Sequence, residues 1–112
     1  MCHCTSCKRR SGGLASYAFL IPQQHVHITS DEDTHVEYAD NDTGSGTPMQ
    51  RSMCARCGSP VRIIEGSAPE TWCMQYGLFA GEVELPPPKV EMFRSRACGW
   101  VRAVGEDVRE TM

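Results

Sequence analysis

The sequence is short of aromatic side chains, of positive charge and of long apolar runs, and each shortage removes a class of protein. Phe, Trp and Tyr fill eight of 112 positions and hydrophobic residues make up 40%. One domain of this size can build only a thin core and is expected to need an added staple. Eleven basic side chains stand against fourteen acidic ones, a formal charge of −3, with a pI near 5.7. No surplus of positive charge exists to displace counterions from phosphates, so nucleic acid is not an expected partner. A polybasic membrane-surface site is excluded on the same ground. No apolar run reaches the length that spans a bilayer. The opening Met1-Cys2-His3-Cys4-Thr5-Ser6-Cys7-Lys8-Arg9-Arg10 has no apolar stretch of the kind a signal peptide needs. The expectation is a cytoplasmic protein with reduced thiols and no membrane contact.

Helical periodicity is missing too: no apolar pattern with a period near 3.6 persists for three turns. Short candidate strands separated by closely spaced turn signals predict an all-β domain. Leu14 to Ile21, closed by Pro22, reads as a buried strand, and His25-Val26-His27-Ile28 as a half-exposed one. Val36 and Tyr38 form a short strand inside the acidic stretch from Asp31 to Asp42, before the turn at Asn41 to Gly46. Extended segments flank Cys54 to Cys57, the second running from Val61 to Ile64, and Trp72 to Gly77 is a further strand. Pro86-Pro87-Pro88 forbids helix and leads into the alternating Val90-Glu91-Met92-Phe93. Gly99-Trp100-Val101 is a last apolar piece. A brief helix fits just after Cys7 or in the tail. The domain is expected to occupy residues 1–104, with 105–112 a charged tail prone to fraying.

What the chain has in abundance is cysteine, seven in all. In a reducing compartment a cysteine-rich small domain is more often a metal site than a disulfide framework. Cys2, Cys4 and Cys7 fall within six residues, and Cys54-Ala55-Arg56-Cys57-Gly58 forms a second tight pair. Cysteines so close in sequence are awkward disulfide partners, but their sulfurs can converge on one ion. The pair Cys54/Cys57 has the form of a zinc knuckle, with Gly58 allowing the unusual exit angle. A redox Cys-x-x-Cys is the competing reading, and no βαβ pattern surrounds the pair to support it. Three thiolates from Cys2, Cys4 and Cys7 leave zinc a fourth position, the mark of a reactive site. Such an ion polarises a carbonyl feebly but activates a fourth thiol well. A single closed site built from N-terminal sulfurs together with Cys54 and Cys57 fits the spacing equally, and a thiol redox sensor is a third possibility.

These residues resemble the glutathione-dependent formaldehyde-activating enzyme family, which includes the centromere protein V-like proteins. Cys2-His3-Cys4-Thr5-Ser6-Cys7-Lys8-Arg9, followed by Gly12, is similar to the family's Cys-His-Cys-x-x-Cys-Arg-Lys segment. Arg51-Ser52-Met53-Cys54-Ala55-Arg56-Cys57-Gly58-Ser59-Pro60 is similar to its Arg-x-Phe-Cys-x-x-Cys-Gly-Ser-Pro segment. Tyr76-Gly77, the proline-led strand to Phe93, and Arg96 to Trp100 follow in the family's order. The resemblance implies a β-tent fold with one or two zinc ions. Cys2, Cys4 and Cys7 would hold the reactive zinc and act in catalysis, and Cys54 and Cys57 would supply half of a four-sulfur structural site. It also implies a carbon–sulfur lyase that condenses glutathione, or a related thiol, with formaldehyde to an S-hydroxymethyl adduct. The family's earlier Cys-x-Cys-Gly pair has no counterpart after Met1. The expectation is therefore a truncated copy, a lost structural zinc, or recruitment of Cys2 and Cys4 beside Cys54 and Cys57. A missing strand would leave a sheet edge open to homo-oligomers. A non-catalytic zinc-binding scaffold is the alternative function.

The remaining polar residues carry weaker expectations. Lys8, Arg9 and Arg10 are candidates for the carboxylates of glutathione, with Arg10 favoured as part of a solvated basic turn. His3 is expected to point away from the ion, and His25, His27 and His35 to be surface histidines. Cys73 is expected to pack as a small hydrophobe, Cys98 is a thiol with nothing nearby to activate it, and Trp100 is placed in the core. The acidic stretch lacks the Gly and terminal Glu of an EF-hand loop, so calcium is not expected.

Overall fold

The computed structural model describes residues 1–31 and 33–112; Glu32, part of the acidic stretch, lies outside the described residues. The chain divides into two units, one formed by Ala18–Leu78 and the other by Met1–Tyr17 with Phe79–Met112.

The unit Ala18–Leu78 is an antiparallel sheet of β1 (Ala18–Pro22), β2 (His35–Asp40), β3 (Met49–Cys54), β4 (Pro60–Glu65) and β5 (Thr71–Gln75). Their order is β1-β5-β4-β3-β2. Consecutive strands from β2 to β5 are hairpin neighbours, while β1 closes the far side by pairing Ala18 with Gln75 and Pro22 with Thr71. The β3–β4 ladder shifts register between Ser52 and Met53, where the strand enters the cysteine turn. Apolar burial is thin, as composition predicts: among the described residues Met74 of β5 is the buried hydrophobic side chain. Polar pairing fills the gap. Tyr38 stands opposite Arg51 in the ladder, so Asp40, two residues further on, lies diagonally across on the same face. Arg51 Nε donates to Asp40 Oδ2 at 2.6 Å, both side chains being buried.

In the other unit, Met1 to Cys4 runs extended before α1 (Thr5–Ser11). Cys2 exchanges both backbone bonds with Ser16, and on the other side His3 N donates to Met92 O while Met92 N donates to Met1 O. Beside this segment, β6 (Val90–Glu91) pairs in parallel with β7 (Asp107–Val108). Helix α1 stops at Gly12, whose φ of +69° lets its amide close on Lys8 O.

The all-β expectation holds: the structure is mostly antiparallel sheet with one short helix, placed around rather than after Cys7. Three local expectations are corrected. His25 to Ile28 forms no strand; Gln23–His25 makes a 3-10 turn instead, because Gln23 N donates to Glu70 O and Val26 N turns back to Gln23 O. Trp100 is not in the core but 74% exposed, at the tip of a turn closed by Val101 N on Cys98 O. Residues 105–112, expected to fray, carry β7 and a run of bonds to the chain around β6. Asp107 N donates to Lys89 O, Arg109 N to Glu91 O, and Phe93 N to Thr111 O.

Candidate metal centre

The ligand atoms of Cys2, Cys4 and Cys7 all lie within 4.8 Å of one another. Local chain geometry brings them there. Cys4 is the N-cap of α1, with extended backbone, and its Sγ accepts the amide proton of Cys7 at 3.3 Å. That is the capping role normally taken by a Ser or Asp oxygen, and it keeps the sulfur of Cys4 at the first turn of the helix that carries Cys7. Cys2 is held on its own strand-like segment by Ser16 and reaches the pair from outside the helix.

The chemistry of this donor set fits a thiophilic cation. Thiolates bound to zinc at about 2.3 Å stand about 3.8 Å apart, so the sulfurs need draw together by only about 1 Å. The thiols already share protons. The hydrogen bond from Cys7 pulls the Cys2 thiol down to about 6 against the opposing effect of burial, with Cys4 assisting. Cys7, as the donor, is pushed well up by Cys2, by burial and by the charge next to it. Thiol protons at such a site are displaceable by a metal ion. Within Met1–Tyr17 and Phe79–Met112, no fourth His, Cys, Asp or Glu joins the group.

His3, between two of these cysteines, points away from them, as expected. It is 1% exposed and its Nε2 stands 3.0 Å from Glu91 Oε2. Glu91 is fully buried, and its Oε1 accepts the amides of Val104 at 2.5 Å and Gly105 at 2.7 Å. Burial pushes this carboxyl up, but the two amides and the imidazole outweigh it and hold it below the usual carboxylate range. With Nε2–H donated to Glu91, His3 Nδ1 is left buried without a partner. Sequence reasoning missed Glu91 because its partner is 88 residues away; the Glu in an otherwise apolar alternation after three prolines was the available signal.

The basic run Lys8 to Arg10 occupies the last turn of α1, where positive charge suits the helix dipole. Lys8 Nζ donates to Arg96 O at 2.6 Å.

Cys54 and Cys57 lie in the other unit, at the β3–β4 turn. Cys54 N donates to Ser59 O, Gly58 N closes on Cys54 O, and Gly58 has φ +75°. Cys57 is exposed, with its Sγ 3.1 Å from Ser59 Oγ. Ser59, and after it the Cys54 thiol, push Cys57 below the ordinary thiol range. Cys54 pairs across the ladder with His35. His35 is not the surface residue expected, since its Nε2 is buried and unpartnered; β-pairing turns it inward. His25 and His27 are exposed. Cys73, half-buried in β5, is pushed up to about 11 by burial and by the charge of Glu65, which suits its packing role. Cys98 is half-buried in the turn before Trp100.

The unit Ala18–Leu78 also carries an open groove of about 530 Å³ with Trp72, Arg62, Glu37, His27 and His35 on its walls. The Arg62 guanidinium stacks 4.0 Å above the Trp72 ring and pairs with Glu37.

Residues 1–96 match the model of the family described as "Glutathione-dependent formaldehyde-activating enzyme". Among curated proteins, the chain is similar to one from Halomonas elongata named "Putative glutathione-dependent formaldehyde-activating enzyme". The two are 24% identical over 108 residues, an alignment covering 89% of this chain and 64% of the relative. The chain therefore spans 64% of the length of the curated relative it matches.

Proposed function

We propose a function for a chain that belongs to the glutathione-dependent formaldehyde-activating enzyme family: zinc-dependent addition of glutathione, or a related thiol, to formaldehyde. The observation that carries this reading is the Cys2/Cys4/Cys7 trio, three thiols gathered within 4.8 Å with no fourth ligand from their own unit. Zinc held there would supply a fourth position at which an incoming thiol loses its proton near neutral pH, the ion itself being too electron-rich to polarise a carbonyl strongly.

The chain's own residues then have defined tasks. Cys2, Cys4 and Cys7 would hold the ion and would give up their thiol protons on loading. The N-cap bond from Cys7 N to Cys4 Sγ holds the Cys4 sulfur in place before any ion arrives, which reduces the ordering left to be done. The addition is balanced without a redox partner. The thiol S–H bond breaks, a carbon–sulfur bond forms at the aldehyde carbon, and the proton finishes on the former carbonyl oxygen to give an S-hydroxymethyl adduct. Arg9, exposed at the end of α1, is available to a substrate carboxylate.

Cys54 and Cys57 are proposed as half of a second, structural zinc site. The knuckle turn and the adjacent sulfurs support this.

Glutathione and formaldehyde exchange with their adduct unaided, so the test is magnetisation-exchange NMR with and without the zinc-loaded protein. The reading predicts faster exchange with protein and loss of the gain in Cys4→Ser. Tightly bound zinc with no acceleration would overturn it in favour of a non-catalytic zinc-binding scaffold.

A further inference from the structure

We infer that Glu91 is the positioning residue of the thiol trio, and that the C-terminal stretch from Val104 to Thr111 acts through it as a strap holding the Cys2-His3-Cys4 segment in place. The inference rests on the trio being a metal site, and extends that reading to residues beyond position 96, where the family match ends.

A carboxylate with no exposure is costly to keep, and a hydrophobic residue of similar size usually serves a fold as well or better. Glu91 has its two oxygens divided between two pieces of chain. Oε1 takes the amides of Val104 and Gly105, and Oε2 takes the imidazole of His3. The tail is thereby tied to the residue that lies between Cys2 and Cys4. The backbone repeats the connection, since His3 N donates to Met92 O, next to Glu91, and Arg109 N donates to Glu91 O.

The fit leaves little slack. A Cβ on Gly105 would stand 2.9 Å from Glu91 Cγ and 3.3 Å from Glu91 N. Only a glycine lets the strap close down on the carboxylate. Tightness of this kind matters at the sulfurs, where a site is sensitive to displacements of about 0.5 Å. Groups that hold metal ligands from behind typically change metal affinity 10–100-fold when removed.

The test loads the full-length chain with zinc and follows its transfer to a chromophoric chelator, taking as the signal the release phase that Cys4→Ser removes. Glu91→Ala and Gly105→Ala are expected to speed that phase by about tenfold or more. Glu91→Gln, which keeps the side-chain volume and an oxygen for the two amides, is expected to stay close to wild type. Asp40→Asn, in the other unit, provides a variant whose lost thermal stability should leave the release rate unchanged. Should Glu91→Ala fail to fold, Gly105→Ala still decides, because it removes no polar group. Wild-type release rates in Gly105→Ala and Glu91→Ala, or acceleration in Asp40→Asn matching its loss of stability, would overturn the inference while leaving the metal site intact. A wild-type chain without the Cys4-dependent zinc would instead remove the metal-site reading, and the inference with it.

Discussion

Arg51 and Asp40 form a buried ion pair across the β2–β3 ladder, Nε to Oδ2 at 2.6 Å, with exposures of 6% and 1%. In a sheet whose apolar core is little more than Met74, this pair does much of the work of holding two strands in register. Removing one partner leaves the other charge buried and uncompensated, so Asp40→Ala is expected to cost about 3–5 kcal/mol. Asp40→Asn keeps an acceptor and should cost less. Urea unfolding at pH 7 measures both, and a loss under about 1 kcal/mol for Asp40→Ala would mean the charge is relieved by water.

Glu91 gives the fold a predictable acid sensitivity. Its folded-state carboxyl titrates below the ordinary carboxyl value of 4.5. The unfolded chain therefore binds a proton over a range where the native chain does not, and the native state loses stability as the pH falls through that range. The advantage is complete above pH 4.5 and gone below the depressed pKa. The stability difference between wild type and Glu91→Gln should accordingly shrink on acidification from pH 5 downwards. A difference that is flat or grows across that interval contradicts the assignment.

Thiol reactivity should follow the surroundings of each sulfur. In metal-free protein, Cys57, exposed and lowered by Ser59, and Cys2, lowered to about 6, should alkylate first at pH 7.5. Cys73, pushed up to about 11, is less than about one part in a thousand thiolate there and should react late, as should Cys7, which Cys2 and burial push further up. Mass-spectrometric mapping of iodoacetamide adducts over time gives the order. Zinc should protect Cys2, Cys4 and Cys7 together.

Gly58 isolates a backbone effect. Its φ is +75° and a Cβ there would meet nothing within 4 Å. Gly58→Ala should therefore destabilise the knuckle through conformation alone, by about 1–2 kcal/mol. Gly58→Asn should cost less, since Asn tolerates the left-handed region better. Equal costs for the two would point to a contact rather than to the dihedral.

What the sequence made legible was whatever is local. Cys2, Cys4 and Cys7 meet because the spacing of an N-cap and its first turn lies within six residues, and the Cys54–Gly58 turn is likewise written in five consecutive letters. Strands with clear alternation or apolar runs, such as β4 and β5, were readable for the same reason. The rest depends on partners distant in the chain. His3 and Glu91 are 88 residues apart, and nothing near Gly105 announces that its missing side chain makes room for Glu91. The charged tail was expected to fray because its order comes from backbone bonds to the chain around β6, which composition does not encode. His25 to Ile28 had the alternation of a strand, but the bonds from Gln23 N to Glu70 O and from Val26 N to Gln23 O turned the chain instead. Trp100 followed the same logic: apolar character predicted burial, and a turn tip exposed it.

On the proposed reading, the sulfurs of Cys2, Cys4 and Cys7 grip a zinc ion and leave room for an outside thiol. Zinc X-ray absorption on a Cys54→Ser/Cys57→Ser background, which restricts the signal to the N-terminal trio, tests it most directly. The prediction is three sulfur scatterers and one lighter atom in the resting protein, becoming four sulfurs when glutathione is added. Four sulfurs before glutathione, or a set that ignores it, would contradict the claim.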